Sequence, residues 1–133
     1  MFQAKSIMKT GVLTAKRNTD IYEAIKLMVE NKITGLPVIN EDMTVAGIIS
    51  EKDVLKLLYN LEDRPGTVGD FMTENAVCFE EEESLVEISE CLINNHFRRV
   101  PIVDKDSKLV GIISRKDIIS YILKLRHKET MPA

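Results

Sequence analysis

The chain repeats itself without a gap at a spacing of 64 residues, as Pro37 with Pro101 and Asp53 with Asp117 show. Identical pairs at that spacing include Met8/Met72, Glu23/Glu87, Asn31/Asn95, Asp42/Asp106, Gly47/Gly111, Ile48/Ile112, Ile49/Ile113, Ser50/Ser114 and Lys52/Lys116. Others keep their type, such as Ile21/Leu85, Met28/Leu92, Val38/Ile102 and Leu58/Ile122. Composition alone gives roughly three identities over such a stretch, so the chain is a tandem repeat, and the fold must be built from two copies of one unit. With 133 residues in all, each copy alone buries too little surface to be comfortably stable, and the two are expected to share a core.

Each copy reads as β-α-β-β-α. In the first, 11–14 (Gly-Val-Leu-Thr) suggests a short strand. A helix follows from Asp20, with Ile21, Ala24, Ile25, Leu27 and Met28 at helical spacing and Asp20 and Glu23 suiting the helix dipole. Gly35 and Pro37 are expected to end that helix. Leu36 to Ile39 and Val45 to Ile49 predict a hairpin across the polar turn Asn40 to Thr44, and Ser50 opens a second helix through about Tyr59. The second copy replays this with a strand at Ala76–Cys78, a helix over Leu85–Asn95, a hairpin of Val100–Val103 with Leu109–Ile113, and a helix from Arg115 to about Leu125. The β-α-β portion implies parallel strands, with both helices on one sheet face and the other face lining an interface. Short helical lead-ins are expected at Ala4–Met8 and Val68–Met72. The domain plan is a first repeat over 1–62, a linker over 63–67 marked by the Pro65-Gly66 neighbourhood, a second repeat over 68–127, and a polar, fraying tail over 128–133.

Composition narrows the function classes. The formal charge of −3 gives no footprint for nucleic acid, and no apolar run reaches the ~18 residues a bilayer span needs. The opening residues lack a secretory apolar stretch, so a cytoplasmic protein is expected. Cys78 and Cys91 form no C-x-x-C motif, and with His96 and His127 as the two histidines no zinc ligand set is legible. No nucleophile with a partner base and no catalytic pair of acids stands out, so an enzyme is not expected.

The informative segments are Ser50-Glu51-Lys52-Asp53 and Ser114-Arg115-Lys116-Asp117, each directly after a strand ending Gly-Ile-Ile. A serine followed three residues later by an acid makes a capping box and needs no ligand. The same place, where a strand's carboxyl end meets a helix start, also receives polar ligands, and a carboxylate there suits the vicinal hydroxyls of a ribose. Both readings stay open. Arg98 and Arg99 precede Pro101, where the first copy has Thr34 and Gly35; two adjacent arginines are either solvated charges or a phosphate clamp. The acidic run Glu80 to Glu83 reads as a solvated helix approach, and Met8 and Met72 as packing residues.

With Met8-Lys9-Thr10 and Met72-Thr73-Glu74 opening the copies, Leu-Pro-Val-Ile and Val-Pro-Ile-Val at their centres, and Gly-Ile-Ile-Ser-x-Lys-Asp near each end, the chain resembles a tandem pair of cystathionine-β-synthase (CBS) domains, a Bateman module, from about Ala4 to Leu125. The resemblance implies an α/β (α+β) fold of two β-α-β-β-α repeats in a pseudo-two-fold pair, sheets packed together and helices outside. It also implies a regulatory module whose clefts bind AMP, ADP, ATP or S-adenosylmethionine, with no required cofactor and magnesium entering only with ATP. On that resemblance Asp53 and Asp117 hold ribose, Ser50 and Ser114 supply the motif hydroxyl, Thr34, Gly35, Arg98 and Arg99 meet phosphate or base, and Thr14 and Cys78 line the cleft. It further implies a homodimer that signals to an effector polypeptide, away from membranes and nucleic acid. The alternative is a ligand-free structural or dimerisation module.

Overall fold

The computed structural model describes residues 2–59 and 66–130, with side chains through His127. The chain folds into two compact units, one of residues Leu13–Ala76 and the other of Met1–Val12 with Val77–Ala133. Compactness therefore divides the chain differently from the sequence period, because the residues leading into each repeat pack on the other one. Each unit carries its own three-stranded sheet and helices, a mixed α/β arrangement.

In the 13–76 unit, α1 (Ile21–Glu30) starts where the Asp20 carboxylate accepts from the amides of Tyr22 and Glu23 at 3.1 and 3.3 Å, satisfying two of the orphan donors of a first turn. Its buried face is Ile21, Ala24 and Met28, the spacing the sequence pattern required. The helix stops earlier than Gly35 and Pro37 suggested. Asn31 caps it, and Lys32 takes a left-handed φ of 53° that turns the chain out of the helix. Gly35 and Pro37 instead lie inside β1 (Gly35–Ile39). Proline is tolerated there because the Pro37 carbonyl accepts from Ala15, so its missing N–H falls on that side and not on the ladder to β2 (Val45–Ser50).

The β1–β2 hairpin is antiparallel with a bulge at Val38/Ile39, and its turn places Met43 at a φ of 73°. Ser50 ends β2 and starts α2 (Glu51–Leu55), which tightens into a 3-10 turn over Lys56–Tyr59. A Thr67–Asp70 capping box begins α3 (Val68–Phe71), and β3 (Thr73–Glu74) then pairs antiparallel with β2. That third strand was not legible in the sequence. The strand expected over 11–14 is absent: Gly11 sits at a φ of 63°, which breaks an extended run, and a single parallel bridge forms at Ala15 beside Val38.

The other unit repeats the plan. β4 (Phe79–Glu80), displaced from the expected Ala76–Cys78, pairs parallel with β5 (Arg99–Val103), because Phe79 and Glu80 are the residues that meet Ile102 and Val103. Then α4 (Leu85–Asn95) buries Leu85, Ile88 and Leu92, and β5 pairs antiparallel with β6 (Leu109–Ser114) through a bulge at Ile102/Val103, matching that of the first hairpin. α5 (Arg115–Thr130) runs past Leu125 into the stretch expected to fray. The lead-in contributes a 3-10 turn over Ala4–Ser6, whose Ala4 is fully buried with Leu85, Ile88 and Ile113, and Lys9 bridges antiparallel to Ile112. Lys9 thus stands against β6 as Thr73 stands against β2.

Those close approaches explain the paired glycines. A Cβ on Gly111 would lie 2.7 Å from Met8 Sδ, and one on Gly47 would collide with the Thr73 carbonyl oxygen. Met8 and Met72 are partly buried against their cores, as expected of packing residues. Of the linker proposed over 63–67, positions up to 65 lie outside the described residues. Gly66 accepts the Ile21 amide at 3.0 Å.

Candidate functional site

The two Ser-x-x-Asp segments form the same local structure at equivalent places. Extended Ser50 receives the chain from β2, and its amide and hydroxyl both lie 3.0 Å from Asp53 Oδ2, while the Asp53 amide reaches back to Ser50 Oγ at 3.4 Å. In the other unit the Ser114 amide donates to Asp117 Oδ2 at 2.9 Å and the Asp117 amide to Ser114 Oγ at 3.1 Å. The capping reading is therefore realised in both. It does not exhaust the carboxylates, since an ionised carboxylate offers about four acceptor positions.

The remaining contacts differ. Thr73 Oγ1 donates to Asp53, 3.2 Å from Oδ1, and Asp53 is 4% exposed. Lys9 Nζ stands 3.2 Å from Asp117 Oδ1, with the lysine side chain 72% exposed and the aspartate side chain 10%. Lys9 and Thr73 are 64 positions apart and so are equivalents of one another. Neither stood among the sequence candidates. The visible signal was their place directly after the recurring Met8 and Met72, and what concealed it was that each acts on the aspartate of the other repeat.

Sheet register gathers the remaining candidates. Gly35 is paired with Ser50 and Arg99 with Ser114. The Glu51 amide donates to the Thr34 carbonyl and the Arg115 amide to that of Arg98, both at 3.0 Å. Thr14 immediately precedes the Ala15 bridge to Val38, and Cys78 precedes the β4 pairing to Ile102. The ten residues thus fall into two sets: Thr14, Thr34, Gly35, Ser50 and Asp53 in one unit, and Cys78, Arg98, Arg99, Ser114 and Asp117 in the other. The arginines share a unit and a ladder end with Asp117. Arg115, also outside the sequence candidates, fixes their approach by donating from Nε to the Phe97 carbonyl at 2.6 Å and from Nη2 to the Leu92 carbonyl at 3.0 Å.

Arg98 is exposed and Arg99 half-buried, whereas Gly35 is buried and Thr34 half-buried. Burial pushes the half-buried Cys78 thiol above its ordinary range, which keeps it a neutral thiol at physiological pH. Glu83 is raised too, first by its hydrogen bond with Glu87, then by desolvation and by the charges of Glu87 and Glu80. Among the described residues no group of three or more His, Cys, Asp or Glu side chains could hold a metal ion, and no helix is long and apolar enough to cross a membrane. A depression of about 560 Å3 between α1 and α2 is lined mainly by apolar side chains such as Ile25, Met28, Val54 and Leu55, with Thr34 and Glu51 at its polar part. Asp53 is not among its walls, although Thr34, of the same set, is.

The model of the CBS domain matches the chain twice, over residues 4–60 and 68–124. CBSX1, a CBS domain-containing chloroplastic protein of Arabidopsis thaliana, is 32% identical over 148 aligned positions that take in 89% of this chain and 62% of its own length. The chain spans less than two thirds of the length of the curated relatives it matches first. Among solved structures, that of CBSX2 in complex with AMP superposes with a TM-score of 0.88 at 30% identity, covering 95% of this chain and 99% of that one; CBSX2 is also from Arabidopsis thaliana. The CBS domain pair of protein MJ0100 in complex with 5′-methylthioadenosine and S-adenosyl-L-methionine gives 0.83 at 27% identity, covering 93% and 98%.

Proposed function

The chain belongs to the CBS-domain family as a tandem pair, and from that membership we propose that it is a regulatory module that senses adenosine-containing nucleotides at its two Ser-x-x-Asp carboxylates. The observation that carries the reading is the recurrence of a nearly buried aspartate at the carboxyl end of a hairpin strand, in register with Gly35 in one unit and Arg99 in the other. A carboxylate so placed accepts both hydroxyls of a ribose, and an arginine beside it suits a phosphate. The AMP held by CBSX2 and the methylthioadenosine and S-adenosylmethionine held by MJ0100 support the same ligand class. Asp53 and Asp117 take the ribose; Ser50 and Ser114 orient them; Thr14, Thr34, Gly35, Cys78, Arg98 and Arg99 contact the rest of the ligand.

Binding signals by shifting the balance between arrangements of the protein, and a ligand moves that balance only by its differential affinity for them. The module performs no chemistry itself and passes its output to an effector polypeptide. It works as a homodimer in the cytoplasm. Each unit has exposed apolar side chains on its helices, Tyr22 and Val29 in one and Ile93, Ile119 and Ile122 in the other, and these suit cover by a partner. A second reading, a ligand-free scaffold, draws on one specific observation: Asp53 is almost wholly enclosed and already engaged by Ser50 and Thr73.

A thermal-unfolding panel of AMP, ADP, ATP with and without magnesium, S-adenosylmethionine and GTP separates the two. A ligand at 100 times its dissociation constant stabilises the fold by about 2.7 kcal/mol. A selective rise in Tm with one adenosine compound is expected, and no rise with any of them favours the scaffold.

A further inference from the structure

We infer that Lys9 is a specificity-determining residue that restricts the Asp117 site to ribosides carrying an anionic group at the 5′ position, while Thr73 leaves the Asp53 site open to uncharged ribosides. The inference rests on the nucleoside reading of the two carboxylates and assigns each a ligand class. Lys9 and Thr73 occupy equivalent positions on equivalent edge segments, paired with Ile112 and Ile48, yet one presents an ammonium and the other a hydroxyl to the aspartate.

The difference matters because both groups occupy the oxygen a ribose must reach. At Asp53, two neutral hydroxyls of the sugar replace one neutral hydroxyl of Thr73, an exchange of like for like. At Asp117, the sugar displaces or crowds the ammonium 3.2 Å from Oδ1. A hydroxyl and an ammonium both donate to the carboxylate, but the ammonium adds a full opposite charge, so an uncharged riboside exchanges an ion pair for hydrogen bonds from neutral donors. An anionic ligand does not, because the released ammonium swings on its flexible stem to the new anion. The lysine side chain is 72% exposed and has room to make that swing.

The surroundings have the same asymmetry. Arg99 is in register with Ser114 and the Arg98 carbonyl accepts the amide of Arg115, so the ladder end at Asp117 carries three arginines. Gly35 and Thr34 hold the equivalent places beside Asp53, and Glu51 replaces Arg115. An anion is favoured at the first and has no cationic partner among the equivalent residues of the second.

The test is a titration of the full chain with AMP and, separately, adenosine, followed by 1H–15N NMR. The Ser114 and Ser50 amides, which donate to Asp117 and Asp53, report their own sites. At Ser114, AMP is expected to bind at least about tenfold more tightly than adenosine, the scale of a charge-assisted contact, and Ser50 is expected to respond to both with similar affinity. Lys9→Thr, which installs the residue of the equivalent position, lowers the AMP preference at Ser114 by about tenfold, and Thr73→Lys raises it at Ser50. An unchanged preference in Lys9→Thr, or AMP perturbing Ser50 and not Ser114, overturns the inference while leaving a nucleoside site standing. No response of either amide to either ligand overturns the nucleoside reading itself, and this inference with it.

Discussion

Asp53 and Asp117 each close a capping box and are proposed to hold a ribose as well, and the capping half is measurable without any ligand. Asp53 accepts from the Ser50 amide and hydroxyl and from Thr73 while 4% exposed. Replacing it by Ala leaves those donors without their acceptor and removes the return half of the α2 capping box, while Ser50 Oγ still accepts from the amide at 53, so Asp53→Ala is expected to cost about 1–2 kcal/mol. The urea midpoint should fall with little change in slope, and an unchanged midpoint would contradict the capping role. Asn keeps an acceptor oxygen and is expected to cost less. The Ser-x-x-Asp spacing made the capping role readable from the residues alone, and the proposed ribose role rests on the same spacing. The partners Thr73 and Lys9 were hidden, because nothing in the spacing tells that a residue before one repeat closes on the aspartate of the other.

At the scale of the elements, helices were the legible part and edge strands were not. Asp20 at the start of α1 and the burial of Leu85, Ile88 and Leu92 along α4 follow from caps and a 3.6-residue period, which are local signals. The strands at 79–80 and 73–74 have two residues each, too short for alternation to register, and they exist because a partner strand supplies their hydrogen bonds. The paired glycines mark where those edges come close. Gly47→Ala drives a Cβ into the Thr73 carbonyl, a backbone atom that cannot yield without moving β3. Gly111→Ala presses chiefly on Met8, whose side chain can swing aside, although the Lys9 carbonyl lies 3.0 Å from the added carbon. Both variants are expected to destabilise within the range of about 1–3 kcal/mol typical of overpacking, Gly47→Ala by more. The reverse order in denaturation midpoints would show that the two edges are held differently.

For the whole molecule, the repeat foretold two similar units but not that their lead-ins are exchanged. Ala4 is buried in the core of the 77–130 unit, and the Ile112 amide donates to the Lys9 carbonyl at 3.0 Å. A chain lacking residues 2–12 is therefore expected to lose protection at a site about a hundred positions away in sequence. Amide exchange at Ile112 should quicken at least about tenfold relative to Ile48, whose edge partner Thr73 is retained. Equal exchange at the two would contradict the exchanged lead-ins.

The central claim, that the chain binds an adenosine nucleotide through its two aspartates, is met most directly by calorimetric titration of AMP into the parent chain and into an Asp53→Asn, Asp117→Asn variant. Asn preserves a capping oxygen and removes the charge that accepts a ribose most strongly. The account predicts saturable binding to the parent and a loss of affinity of at least about tenfold in the folded variant. Equal affinity in both proteins, or no heat of binding in the parent, would contradict it.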